Sequence, residues 1–334
     1  MRQLLRPILL AAALLPLAAS AQTPGYRPAV HQYGPPLIDR ASDAELATLA
    51  DAGIVVEHDR VPADVLAEHR RLDEALRSLR PQRPGVVDAY VVAVALDSDP
   101  VFGREAREAG QVLTRRYAAA GRSVVLAGTD GNAASSLAMG SPGNLDAVLA
   151  RVAELMDPKE DVLVLYTTSH GAPFGIVYDD GDQGFGAISP TKLWRTLSVL
   201  GIKNRLLMVS ACFSGAFVPL LASDTTAIIT ASSADRTSFG CQADSDWTFF
   251  GDALINHGLR KPVPLAAAAA EATGLIGGWE AQGKLTPSQP QVSIGAGARV
   301  WLAALEAHLP PATPLVGKPA TGALDAAAEH LKRR

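Results

Sequence analysis

A chain of 334 residues with 48% hydrophobic and 19% charged residues can bury a core without covalent staples, as one large domain or two small ones. A net charge of −4, with no basic cluster outside the extreme C-terminus, leaves no electrostatic footprint for nucleic acid. The only cysteines, Cys212 and Cys241, are too few for a disulfide framework, and no spacing suggests a zinc site, so neither a metal nor another cofactor is expected.

The chain opens with Arg2 and Arg6, an apolar stretch from Pro7 to Leu17, and the small-residue cleavage pattern Ala19-Ser20-Ala21. This reads as a signal peptide over residues 1–21, since the apolar stretch is too short to span a bilayer. The expected location is therefore periplasmic or secreted, with no membrane attachment after cleavage. Residues 22–80 read as an N-terminal arm. It begins irregularly and continues with two helices, Ser42 to Ala52 and Val61 to Leu79, the first opened by a Ser42/Glu45 capping pattern. In the second helix, Leu66, His69, Leu72 and Leu76 share a face, and His69 reads as a surface residue. Pro81-Gln82-Arg83-Pro84-Gly85 closes the arm.

From Val86 strands and helices alternate. Strands are expected at Val86–Leu96, Ser123–Ala127, Asp161–Thr168, Arg205–Ser210 and Thr226–Ala231. Helices are expected at Val101–Ala119, Asn144–Met156, Thr191–Leu200, Ser214–Leu221, Trp247–His257 and Pro264–Trp279. A small hairpin is expected around Asp179-Asp180-Gly181-Asp182, and a loop of small residues over Asp130 to Gly143. Nearly unbroken apolar strands separated by helices imply a mainly parallel sheet covered on both faces, a three-layer α/β/α sandwich. A short apolar segment at Val292–Gly295 and a helix at Ala298–His308 end the main domain, residues 81–308, and residues 309–334 read as a flexible tail.

Two strand ends carry chemistry. Val162-Leu163-Val164-Leu165-Tyr166 runs into Thr167-Thr168-Ser169-His170-Gly171, and Leu206-Leu207-Met208-Val209 runs into Ser210-Ala211-Cys212. Parallel sheets place ligands beyond such carboxyl ends. A thiol attacks a carbonyl as thiolate and needs a base, here His170. It also needs amide donors for the oxyanion, which the Gly171 and Cys212 N–H groups offer, and a helix starting after Cys212 favours the thiolate. Taken singly, Cys212 reads as an inert core cysteine and His170 as a loop residue; a Cys212–Cys241 disulfide is a further alternative. The acidic turn at Asp179–Asp182 lacks the ligand alternation of a calcium loop. No Gly-x-Ser-x-Gly elbow or phosphate-binding glycine loop is present.

The His-Gly and Ala-Cys strand ends, about 40 residues apart, resemble the signature of the caspase clan, where the separation is about 50. Thr230-Ala231-Ser232-Ser233-Ala234-Asp235-Arg236-Thr237-Ser238-Phe239-Gly240-Cys241, Asp246-Trp247 and Phe102-Gly103-Arg104-Glu105 are similar to further blocks of the legumain family within it. That family also includes the catalytic subunit of the glycosylphosphatidylinositol transamidase. The resemblance covers roughly Val86 to Leu259, and Pro81–Tyr90 and Ser288–Leu305 also look like its bacterial secreted members. It implies a caspase-like fold, Cys212 as nucleophile, His170 as general acid and base, and Gly171 and Cys212 as oxyanion donors. It also implies a pocket for the side chain before the scissile bond, formed by Arg104, Ser210, Ser238 and Asp246. Arg104 also reads as an exposed helix-start charge, and Asp246 as a cap for the helix at Trp247. Two positions depart from the family: legumains carry an acid where Ser210 stands and Asp where Ser169 stands. The expected activity is that of a secreted cysteine endopeptidase acting on peptides or proteins through a thioester, with Asn or Asp before the cut. Transpeptidation by the same dyad and a non-catalytic peptide-binding role remain alternatives. The arm is a candidate pro-segment.

Overall fold

The computed structural model describes residues 40–128, 136–181, 183–322 and 324. The expected signal peptide, the first part of the arm, the first part of the small-residue loop and the last residues of the tail lie outside them.

The arm forms α1 (Asp43–Ala52), β1 (Val55–Glu57) and α2 (Pro62–Ser78). Ser42 and Glu45 close the expected capping box on α1, and Gly53, at φ 73°, ends the helix in the left-handed conformation that glycine tolerates. His69 and Leu66 are exposed, while Leu72 and Leu76 pack against the core, so the apolar stripe of α2 is only partly used.

The main domain runs β2 (Ala89–Ala95), α3 (Pro100–Arg116), β3 (Ser123–Leu126), α4 (Pro142–Leu155) and β4 (Val162–Thr168). Next come β5 (Gly171–Ala172), β6 (Gly175–Asp179), β7 (Gly184–Ile188), α5 (Pro190–Val199) and β8 (Arg205–Ser210). A 3-10 turn at Ser214–Phe217 leads into α6 (Val218–Leu221), then β9 (Thr226–Thr230), a π-helical segment Gly251–Gly258, α7 (Leu265–Gly283), β10 (Gln291–Ile294) and α8 (Ala296–Glu306). The main sheet has the order β10-β9-β8-β4-β2-β3, all neighbours parallel except the β10 edge. β2, β4, β8 and β9 are buried throughout, which is why their sequences are apolar on both faces.

Alternate side chains serve opposite layers. Val91, Val164, Met208 and Ile229 pack with α3, the π-helical segment, α7 and α8. Tyr90, Leu165, Leu207 and Ile228 pack with α4, α5 and α6. The expected α/β/α sandwich is therefore present.

Three features differ from the sequence reading. The hairpin is part of a second, antiparallel sheet, β1-β7-β6-β5, to which the arm contributes an edge strand. Arg60 of the arm pairs with Asp180 in the hairpin turn. The arm is thus built into the flank of the fold, and none of its described residues lines the pocket at the main sheet edge. Residues 309–322 are irregular but not loose. Trp247 Nε1–H donates to the Val316 carbonyl at 2.9 Å, and the Ala320 and Lys318 amides donate to Asp252 and Asp246 at 2.8 and 2.7 Å.

Asp252 is buried, and Ala320 satisfies one of its oxygens. A buried acceptor that loses its donor costs about 1–3 kcal/mol. Removing residues 310–334 is therefore expected to lower the thermal unfolding midpoint measurably; an unchanged midpoint by calorimetry would show that this segment is only draped on the surface.

Candidate active site at the carboxyl edge of the sheet

Parallel pairing aligns the ends of three neighbouring strands. Thr168 is in register with Ala95 on one side and Ser210 on the other. The Leu96 amide donates to the Thr168 carbonyl at 3.1 Å, and the Ser169 amide to the Ser210 carbonyl at 3.1 Å. Just beyond these ends, Asp97–Asp99, His170–Gly171 and Ala211–Cys212 emerge side by side. A Cβ on Gly171 would lie 2.1 Å from the Cys212 carbonyl oxygen, so only glycine permits this approach. Phe213, directly after the cysteine, holds φ at 58°, a strained value for a non-glycine residue, and its amide donates to the Arg236 carbonyl at 2.8 Å.

His170, Cys212, Ser210, Ser238, Cys241 and Thr248 line one pocket there. Cys212 and Cys241 are both free and half-buried, so the pair is not a structural disulfide. The Ser238 amide donates to Cys212 Sγ at 3.2 Å. Burial pushes the Cys212 thiol up from its ordinary pKa, while the Ser238 backbone and the positive charge of His170 pull the other way. The expected helix dipole contributes little, because the chain after Cys212 forms only a 3-10 turn and a one-turn helix. Support for a thiolate comes from the Ser238 amide and His170 instead.

The His170 ring packs edge-on against Phe102 of α3, with centroids 5.0 Å apart. Its Nε2 lies 3.4 Å from Asp99 Oδ2. Asp99, then a hydrogen bond with Cys241, raise the imidazole to about 10 against the opposing effect of burial. The folded state thus binds the proton more tightly than an unfolded chain does. The resulting stabilisation is full below the ordinary value of 6.5 and fades as pH rises to about 10. The sequence reading does not single out Asp99, although Asp97-Ser98-Asp99 also ends an apolar strand. Asp97, Asp99 and His170 each bring a potential ligand atom within 4.8 Å of the others, the one such grouping among the described residues. Asp97 Oδ1 also accepts from the Asp99 amide at 2.8 Å, shaping the turn into α3.

The four expected pocket residues divide. Ser210 and Ser238 line the pocket, whereas Arg104 and Asp246 are not among its lining residues. Arg104 instead donates to the Ala243 and Ser245 carbonyls and approaches Asp246 at 3.6 Å. Asp246 does not cap the following helix. The Thr248 hydroxyl does so, accepting from the Gly251 amide at 3.0 Å.

Beneath the pocket lies a residue to which the sequence alone assigns no role. Glu105 of α3 is 0% exposed. It accepts from the hydroxyls of Tyr166, Thr168 and Ser210 at 2.6, 2.7 and 3.0 Å, and from the Thr248 amide at 2.8 Å. The acid that legumain-like sequences place at position 210 is absent here, yet a carboxyl group reaches Ser210 from another element. Its signal, a Glu one turn after Phe102 on a helix whose inward face is apolar, is indistinguishable in sequence from a surface acid.

A search of curated proteins found no match. The crystal structure of caspase-1 from Spodoptera frugiperda is similar at 15% sequence identity and a TM-score of 0.41, covering 65% of this chain and 88% of that one. Residues 134–262 match the model of the Peptidase C13 family. The segment that carries both His170 and Cys212 is thus similar to the C13 family of cysteine peptidases, which also includes transamidases.

Proposed function

We propose that this protein is an exported cysteine endopeptidase with Cys212 as nucleophile and His170 as general acid and base. The observation that carries the reading is the meeting of His170 and Cys212, from adjacent strand ends, in one pocket with the Ser238 amide on the sulfur. The leader sequence, Met1 to Ala21, is what supports export.

In the proposed mechanism the Cys212 thiolate attacks the scissile carbonyl, and the amides of Gly171 and Cys212 receive the oxyanion. Imidazolium His170 gives its proton to the leaving amine as the tetrahedral intermediate collapses to a thioester. Now neutral, and oriented by Asp99, it takes a proton from the water that releases the acid. An amine in place of that water gives transamidation, an activity also found in the C13 family. Cys212→Ala is expected to lower kcat/KM for peptide cleavage by about a thousandfold or more, and to abolish labelling by an electrophilic peptide. Equal cleavage by both proteins would overturn the peptidase reading.

Asp99 sets the alkaline end of this cycle. It raises the imidazole, so the protonated acid survives well above neutral pH. Asp99→Asn is expected to move the basic limb of the kcat/KM profile towards acid by about one unit, since an opposite charge nearby shifts a pKa by about that much or more. An unmoved limb would remove Asp99 from the mechanism.

The pocket floor also has a polarity. Ser210 commits its hydroxyl proton to Glu105, so in the 3.1 Å contact between Ser210 and Thr248 the Thr248 hydroxyl is the donor. Thr248 Oγ1 accepts from the Gly251 amide. Both hydroxyl protons are consumed, so these two oxygens offer only lone pairs. Such a floor favours a side chain that donates, as the amide of Asn does, over the carboxylate of Asp. Peptides with Asn before the cut are expected to be cleaved in preference to Asp at neutral pH. Ser210→Ala should narrow that ratio about fivefold, the equivalent of one hydrogen bond of about 1 kcal/mol. A ratio untouched by the substitution would locate specificity elsewhere.

A further inference from the structure

The peptidase cycle leaves Cys241 unused. It lines the same pocket as Cys212 and His170, is likewise half-buried and free, and helps to raise the imidazole of His170. Gly240, at φ 88°, makes the turn that returns the chain to the pocket, and a Cβ there would lie 2.8 Å from the Phe249 amide nitrogen. Besides the bond from the Ser238 amide to Cys212 Sγ, the segment is anchored by backbone bonds that involve neither sulfur. The Phe249 amide donates to the Phe239 carbonyl at 2.9 Å, and the Phe213 amide to the Arg236 carbonyl at 2.8 Å. Neither thiol is therefore needed to hold the other in place, as a structural disulfide would be. The pocket holds two thiols that share one imidazole.

We propose that Cys241 is a resolving thiol, and that hydroperoxides switch this site off reversibly through a Cys212–Cys241 disulfide. The inference rests on the reading of Cys212 as the reactive thiolate. That thiolate attacks a peroxide oxygen; the O–O bond breaks, the departing oxygen takes the proton of His170, and Cys212 becomes a sulfenic acid. Cys241 then attacks Cys212 Sγ. The S–O bond breaks, the hydroxide leaves as water with the proton of the Cys241 thiol, and the disulfide forms. Across both steps two thiols are oxidised to a disulfide and hydrogen peroxide is reduced to water. The bond consumes the nucleophile and ties the 238–241 segment across the pocket. A dithiol reductant reverses it by exchange. Without a neighbouring thiol the sulfenic acid passes on to sulfinic and sulfonic acids, which a dithiol does not reduce.

The test is to treat the purified protein and its Cys241→Ser variant with hydrogen peroxide, alkylate the remaining thiols, and map peptides without reduction. Activity is read for each protein against its own untreated sample, before and after dithiothreitol. Wild type is expected to yield a peptide pair bridged between Cys212 and Cys241, with activity lost and then recovered. The variant is expected to lose activity without recovery and to carry sulfinic or sulfonic acid at Cys212. Overoxidised Cys212 beside alkylated Cys241 in wild type, or equal recovery in both proteins, would overturn the proposal. The bridged peptide is read by mass, so its absence in a protein that cleaves peptides defeats the switch and leaves the peptidase reading intact.

Discussion

The carboxyl group of Glu105 is the constraint on which the site depends. It sits fully buried at the junction of α3, β4, β8 and the entrance to the π-helical segment, and each of those neighbours sends it a donor. A buried carboxyl group is tolerated only when its acceptors are met, and losing one partner of such a cluster is far costlier than forming it is favourable. The cluster thus acts on position more than on overall stability. Gly251 is small for the same reason: a Cβ there would lie 2.1 Å from Glu105 Oε2. Tyr166 bears the effect most visibly, its phenol pushed far up by burial and by the adjoining Glu105. Phe102, three residues earlier on the same helical face, packs on His170. One helix therefore fixes both the floor of the pocket and the imidazole at its rim.

Much of the fold is written in runs that one strand or helix carries alone. β2, β4 and β8 are apolar on both faces, and that pattern names buried parallel strands without reference to their partners. His170 and Cys212 are legible for a related reason, since the topology implied by those strands puts their ends side by side. The features that escape a sequence reading depend on long-range partners. β1 is three residues long and is a strand only because β7 lies beside it. Residues 309–322 have the composition of a loose tail, but Asp246, Asp252 and Trp247 await their backbone. Asp246 reads as the cap of the helix after it, but the Thr248 hydroxyl takes that place, and Asp246 accepts from the distant Lys318 amide instead.

The departure at Ser210 illustrates the difference between a residue and the group it presents. Read along the chain, Ser210 deletes an acid. Read across the sheet, its hydroxyl is the outer end of a relay that begins at Glu105, and the floor keeps a hydrogen-bond polarity that a lone serine would not fix, because a free hydroxyl turns to suit its ligand. The polarity of the floor is thereby set by an orientation rather than by a charge, and a short neutral side chain transmits it only while the buried carboxyl group holds the Ser210 proton in place.

The pairing of β1 with β7 has a consequence for how the chain comes together. It joins Val55 to Gly186, so the arm has no sheet to enter until the entire first half of the main domain is in place. Closing a loop of that length costs chain entropy that three residues of strand cannot offset alone, and non-local pairings of this kind are slow. The parallel pairs of the main sheet join strands nearer in sequence, β8 with β9, β2 with β3 and β4 with β8. During synthesis the arm is thus the first segment of the described chain to emerge and one of the last to dock, and its unpaired strand edge stands open to wrong partners in the interval.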